Sequence, residues 1–360
     1  MTKTGIESKL QAALEAAFQS SDTSFPGALL HVRSPEFGPW SGAAGLGEIE
    51  TGTALAPGDR FRAGSVMKPL VAVVTLQLVE EGRFSLDDPM TAVLRDSTTS
   101  RFPASDQITL RMLLNHTSGI PEWLTDEAAA EIATNPTRVR TVDEYLDVAA
   151  AQKPYFPPGK GFTYSNTDYN LLGLAIEHAT GRPWREEVRE RVVGGLNLKD
   201  TLLPEPGDLS IPGNYAHGYM DMGGNLVDMT GIDPSMAGAA GGHALVTTTS
   251  DLACFLEAVL AGKLFQTAST LDEMLSFVVM PQDASPGGLA VGYGLGVRKY
   301  LLPASMEMLG HAGTTGGYQC FVYNLPLQGI TIAGMMNSIP SDQTRLIFPA
   351  LKILLPEFSP

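Results

Sequence analysis

With 44% apolar and only 18% charged residues, a chain of 360 residues has ample material for a large core and too little charge for a disordered segment. Its 24 Lys and Arg against 39 Asp and Glu leave a net charge of −15, which argues against nucleic acid, a partner that requires a basic face. No apolar run reaches the roughly 18 residues of a spanning helix, and residues 1–18 lack the apolar stretch of a secretory leader, so no membrane partner is expected and the chain reads as cytoplasmic.

Ile6, Leu10, Ala13, Leu14 and Phe18 recur at helical spacing and predict an amphipathic helix laid against a sheet. Segments 27–33 and 42–47, with Pro35, Gly38 and Pro39 between them, predict a strand pair and its turn. The densely apolar segment 66–81 stops at Gly82, as a buried helix ended by glycine does, which places Ser65 at its start. Helices are expected over 110–115, 142–152, 170–180 and 184–193, separated by loops bearing Pro and Gly. Segment 206–242, rich in Gly, Met and Asp, reads as a long surface excursion. A helix over 249–260 follows, with Ser250 as its cap. Short β-like runs at 291–300, 306–311, 318–324 and 330–336 then lead to a closing helix near 343–355. Cys254 and Cys320 are expected as buried thiols, because a chain of this length needs no staple. This succession predicts an α+β fold. Residues 1–86 and 206–360 would form a domain with a central antiparallel sheet flanked by helices, and 87–205 an inserted, mainly helical subdomain, with the cleft between them. A monomer or small homo-oligomer is expected.

The chemistry narrows first by elimination. There is no H-E-x-x-H or C-x-x-C, the six histidines are scattered, and both the phosphate-loop and dinucleotide glycine patterns are missing, so no metal and no cofactor is expected. The G-x-S-x-G elbow of the α/β-hydrolases is absent too. What is present is Ser65-Val66-Met67-Lys68, whose spacing of three puts hydroxyl and ammonium on one helix face. A serine at a helix start also offers its own backbone N–H to a developing oxyanion. Such a tetrapeptide arises by chance in about one chain of this size in two. Two further elements change the odds. Tyr164-Ser165-Asn166 follows Pro157-Pro158-Gly159 in a loop leading to a helix, and Gly310-His311-Ala312-Gly313-Thr314-Thr315-Gly316-Gly317 lies between two β-like runs.

With Ser-x-x-Lys, Tyr-x-Asn and His-x-Gly in this order, the chain resembles the penicillin-recognising serine hydrolases: DD-peptidases, class C β-lactamases, D-amino-acid amidases and related esterases. The resemblance extends through residues 108–120 and 241–251 and spans most of the chain. It implies a β-lactamase/DD-peptidase-like fold and a covalent acyl-enzyme on Ser65, with Lys68 or Tyr164 as the base that activates the hydroxyl. A cationic Lys68 would lower the Tyr164 pKa towards working pH; a desolvated, neutral Lys68 is the competing base. Asn166 would hold the substrate amide, and the N–H groups of Ser65 and Thr314, beside Ala312 and Gly313, would form the oxyanion hole. His311 would supply conditional positive charge or pass a proton to Tyr164, and Arg298 would lie on the leaving-group side.

The implied partner is a small-molecule or short-peptide acyl substrate, an amide or ester, D-configured if the chain is DD-peptidase-like or a D-stereospecific amidase. An esterase or an acyl transferase passing the acyl group to an amine or alcohol is the alternative. An efficient β-lactamase fits less well because the triplet lacks lysine, and a silent binding module would need a broken catalytic residue. His116 is expected to be a structural hydrogen-bonding residue, and His217 and His243 to pack in glycine-rich stretches. Tyr219, Met220, Met222, Met229 and Met236 would form either an adaptable substrate wall or ordinary packing.

Overall fold

Strands that are apolar on both faces need cover on both sides, and the centre of this chain is built that way. In the computed structural model, which describes residues 2–17, 25–281, 289–356 and 358, one antiparallel sheet of nine strands forms the middle layer. The strands are β1 (Gly27–Ser34), β2 (Gly38–Glu48), β3 (Thr53–Ala54), β4 (Val278–Val279), β5 (Ala290–Tyr293), β6 (Arg298–Leu302), β7 (Met306–Thr315), β8 (Tyr318–Leu325) and β9 (Ile330–Met336). Their order is β3-β2-β1-β9-β8-β7-β6-β5-β4. Successive side chains point to opposite faces, so Leu29 of β1 joins one core cluster while Ala28, Leu30 and Val32 join the other.

The principal helices are α1 (Lys3–Ala16), α2 (Met67–Glu80), α3 (Leu110–Leu114), α4 (Asp126–Thr134), α5 (Val142–Ala150), α6 (Asn166–Thr180), α7 (Thr249–Leu260) and α8 (Thr344–Leu354). Helices α1 and α8 pack together, and Ile6, Leu10, Leu14, Leu346, Ile347 and Leu351 bury against one face of the sheet. Helix α7 lies on the other face, against β1, β8 and β9. Helix α2 is buried almost throughout and packs against α6.

Several elements differ from the expectation. The run 291–300 is two strands, β5 and β6, reversed through Gly294 and Gly296. The glycine-rich stretch does not interrupt its strand, since β7 continues to Thr315 and turns at Gly316-Gly317. The cap of α7 is Thr248, which accepts the Asp251 N–H, rather than Ser250. Ser65 stands at the helix start as expected, in the middle of a 3-10 turn, Gly64–Val66, that feeds α2. Helix α6 starts at Asn166, earlier than expected, α4 was not expected at all, and the helix from Trp184 widens into a π-helical turn over Arg189–Gly194. The excursion 206–242 contains a small hairpin, Tyr219–Asp221 with Leu226–Asp228. Cys320 is buried and free, Cys254 free and half-buried, and Phe18 lies outside the described residues.

Candidate active site

Three distant segments converge on the turn that presents Ser65. Phe61–Arg62 pairs with Val246–Thr247, the Ala63 N–H donates to Leu245 O at 2.9 Å, and Cys320 Sγ of β8 donates to Ala63 O at 3.2 Å. Strand β7 crosses directly over this turn. A Cβ on Gly313 would sit 2.0 Å from Ala63 O, and one on Gly64, whose φ is +54°, would sit 2.9 Å from Thr314 O. Only glycine permits that approach, so the backbone of Thr314 is brought against the residue preceding Ser65. Pairing of β7 with β6 ends at Gly310, and, among the described residues, 311–315 keep a strand neighbour only on the β8 side.

Helix α2 carries Lys68 one turn after Ser65, wholly buried. Its Nζ lies 3.2 Å from Ser65 Oγ, 2.7 Å from Asn166 Oδ1 and 2.7 Å from Ala240 O. Burial holds its pKa well below the usual lysine value, with Arg298 adding to the effect and Glu122 and Asp168 opposing it. A neutral amine has two N–H groups and one lone pair; with the hydrogens on Asn166 and Ala240, the lone pair is left for the Ser65 hydroxyl. Asn166, first residue of α6, donates its backbone N–H to Glu122 Oε2 at 2.7 Å, and Leu124 N–H binds the other oxygen at 2.8 Å. Burial raises the Glu122 pKa, against those hydrogen bonds and nearby Lys68.

Tyr164 lies over Lys68, its ring centroid 4.8 Å from Nζ, with the Arg298 guanidinium also 4.8 Å from the ring. The phenol oxygen is buried and makes no hydrogen bond of regular geometry among the described residues. Burial pushes its pKa up to about 12, although Arg298 and the neighbouring Ser65 hydroxyl favour the phenolate. The expected lowering by Lys68 is therefore outweighed, because the lysine is desolvated with it and cannot be counted as a fixed cation. Arg298 remains firmly cationic: burial opposes its charge, but the phenols of Tyr300, Tyr164 and Tyr293 outweigh that.

His311 also departs from its expected part. It is buried, with Nε2 3.0 Å from Tyr293 OH and Nδ1 2.6 Å from Ala312 O. Burial, then Arg298 and Lys68, hold its pKa well below 6.5, so the ring is neutral near pH 7 and bonded to Tyr293 rather than to Tyr164, 6.2 Å away between centroids. Ala312 is partly buried against the core cluster containing Tyr293 and Tyr323.

Ser65, Asn166, Thr314 and Gly316 open into a cavity of about 210 Å³ whose other walls include Leu124, Ile132, Met220, Met229, Met236 and Ile339. A larger cavity, about 490 Å³, lies between Phe102, Ile120 and Phe156; neither Ser65 nor Lys68 lines it, and the hydroxyl of Ser118 on its wall is committed to the Asp168 carboxyl group. The smaller one is the candidate site, because Ser65 lines it together with Asn166 and Thr314. Three of the expected methionines form its wall; Met222 is exposed, and Tyr219 is buried with its hydroxyl bonded to Ile49 N and Glu50. His243 sits behind the wall against Gly316 O, and His217 lies between Asp228 and Glu48. Glu122 and the buried pair His116 and Asp168 were not foreseen as part of the site. Their only signal was position, in the segment before Tyr164 and at the start of α6.

The family model described as Beta-lactamase matches residues 9–351. Among curated proteins, esterase EstB of Burkholderia gladioli is 30% identical over 305 residues, 76% of this chain and 75% of that protein. A D-stereospecific amidohydrolase from Streptomyces sp. superposes with a TM-score of 0.82 at 32% identity, over 98% of this chain and 99% of that one. The D-amino acid amidase of Ochrobactrum anthropi SV3, complexed with D-phenylalanine, superposes with a TM-score of 0.84 at 25% identity, covering 98% and 100%.

Proposed function

The chain belongs to the Beta-lactamase family of serine hydrolases, and from that premise we propose that it is a D-stereospecific amidase whose acyl-enzyme forms on Ser65. The observation that carries this reading is the chain Ser65 Oγ, Lys68 Nζ, Asn166 Oδ1, with separations of 3.2 and 2.7 Å, opening on an apolar cavity. Lys68 takes the Ser65 proton as Oγ attacks the carbonyl, since its lone pair already faces the hydroxyl. The N–H groups of Ser65 and Thr314 receive the oxyanion, and Asn166 aligns the donor. Tyr164, a phenol rather than a phenolate at neutral pH, gives its proton to the leaving amine and regains one from the Lys68 ammonium. Water then repeats the sequence in reverse on the acyl-enzyme.

The cavity wall of Leu124, Ile132, Met220, Met229 and Met236 suits an apolar side chain on the donor. The D-preference rests on the Streptomyces and Ochrobactrum likenesses. The test is a panel of D- and L-phenylalanine amides, the matching methyl esters and a D-Ala-D-Ala peptide, run on the wild type and on Ser65→Ala. Ser65→Ala should be folded, inactive on every member, and unlabelled by benzylpenicillin in intact-protein mass spectrometry. Wild-type turnover by a folded Ser65→Ala protein would end the proposed mechanism; preference for the L-amide would end the stereochemical part.

A further inference from the structure

Beneath Tyr164 lies a second acid–base pair that the steps above do not use. His116 Nδ1 is 2.9 Å from Asp168 Oδ2, and both side chains are fully shielded from solvent. The same Nδ1 accepts the Ser165 backbone N–H at 3.3 Å, while Ser118 Oγ donates to Asp168 Oδ1 at 2.6 Å. A ring nitrogen that accepts an N–H carries no proton, so the network assigns the shared proton to the carboxyl group: a neutral imidazole beside a carboxylic acid. Burial favours the same pairing, raising the Asp168 pKa and lowering that of His116. His116 Nε2 is buried and has no hydrogen-bond partner among the described residues.

The imidazole is packed into phenols. Its centroid lies 4.4 Å from that of Tyr164, 4.7 Å from Tyr293 and 5.3 Å from Tyr169. The titratable and charged groups acting on His116 are Lys68, Arg298 and His311, and those acting on Asp168 are Glu122 and Lys68. The backbone ties the pair to the tyrosine as well: the His116 carbonyl accepts the Thr163 N–H at 3.1 Å, immediately before Tyr164, and His116 itself has a φ of +60°. A histidine held in that strained conformation has its ring orientation set by the fold.

We infer that His116 and Asp168 are positioning residues that act through Tyr164: when the phenol protonates the leaving group, the Asp168 proton crosses to His116 Nδ1 and sets an imidazolium against the new phenolate. The Oδ2–H bond breaks as the Nδ1–H bond forms, and no proton enters or leaves the pair. The Ser118 hydroxyl continues to donate to the carboxylate so created. When Lys68 returns a proton to Tyr164, the proton on Nδ1 moves back to Asp168. In a buried site such a transfer stabilises the phenolate without requiring a permanently charged histidine, which burial would oppose.

The inference rests on Tyr164 being the proton donor to the leaving group. Its test is Asp168→Asn in the full chain, assayed on D-phenylalanine amide and on a p-nitrophenyl ester, whose leaving group needs no proton. The asparagine can donate to His116 Nδ1 and accept from Ser118 as the acid does, but it has no proton to transfer. We expect kcat on the amide to fall at least about tenfold, the equivalent of one pKa unit of phenolate stabilisation, with KM unchanged within about threefold and the ester affected by less than about threefold. Ser118→Ala, which removes the donor to the carboxylate together with the acceptor of the Ile120 N–H, should give the same amide-selective loss on a smaller scale, and it serves if Asp168→Asn does not fold. A purely structural pair would leave both substrates near wild type in Asp168→Asn, or slow both alike; either result overturns the inference. Tyr164→Phe is run in parallel. If it too spares the amide, the assignment of Tyr164 fails; if it is amide-selective while the other two variants are not, the inference about His116 and Asp168 fails alone.

Discussion

Gly313→Ala tests whether the close crossing of β7 over the nucleophile turn sets the reaction geometry. The new methyl would stand 2.0 Å from Ala63 O, 3.0 Å from Ala63 C and 3.1 Å from Cys320 Sγ. Since real Cβ contacts essentially never fall under 3.0 Å, strand and turn must part by about 1 Å or more. Both sides of the clash are backbone or buried core, so no surface side chain can swing away to absorb it. Misplacing a reacting group by about 1 Å costs on the order of a hundredfold, and loss of one oxyanion donor costs about 10²–10³ in kcat. The overpacking itself should destabilise the fold by about 1–3 kcal/mol. Steady-state hydrolysis of a p-nitrophenyl ester, together with thermal unfolding, measures both effects. Gly58→Ala, where a Cβ would meet nothing within 4 Å, is the control. If Gly313→Ala keeps wild-type kcat, the contact between β7 and the Ala63 carbonyl is not what places the oxyanion donors.

His31, buried on β1 and hydrogen-bonded through Nδ1 to Ser41 Oγ, has its pKa pushed down to about 4 by burial and then by Arg33. Because its folded pKa lies below the unfolded value of 6.5, its contribution is intact above about pH 6.5 and is lost as pH falls towards 4, where the difference amounts to about 3 kcal/mol. His31→Gln should flatten that part of the stability curve in urea titrations between pH 7 and 4; an unchanged slope would count against it. At Ala312 a threonine would add a second hydroxyl two residues before Thr314 on β7. Ala312→Thr should improve kcat/KM for a free-acid D-alanyl peptide relative to the matching amide by about tenfold, a charged hydrogen bond being worth about 1.5–3 kcal/mol. An unchanged ratio between the two substrates would show that position 312 does not touch the leaving group's carboxylate.

The parts of the site that could be read from sequence are those in which residue type and spacing alone carry the chemistry. Ser65 and Lys68 had to share a helix face, and the structure joins them to Asn166. Charge states were not legible, because they depend on burial. The family resemblance implies Lys68 beside Tyr164, but only packing reveals that both are desolvated, which reverses the direction expected for the phenol. His311 fails for the same reason, finding Tyr293 across a strand pairing that no local pattern encodes. Helix α4 was legible in principle, since Thr125 caps it and Asp126 and Glu127 follow in its first turn, but its apolar residues are alanines apart from Ile132, which leaves no periodicity of large side chains. The cap of α7 could not be settled from composition when Thr248, Thr249 and Ser250 stand in a row.

The tie between the Ala63 backbone and residues 245 and 320 has a consequence for the timing of synthesis. A ribosome making this chain completes Ser65 and Lys68 early, yet the strand that presses on the nucleophile turn does not exist until residue 314 has emerged. Until then the hydroxyl belongs to an unsupported loop in which the Thr314 N–H, one of the two oxyanion donors, is missing. The nascent enzyme is thus chemically silent, and hydrolytic competence should appear abruptly, as a report that the sheet has closed. A stalled-chain series assayed with a fluorogenic ester would show a step in activity between lengths that end before and after β8.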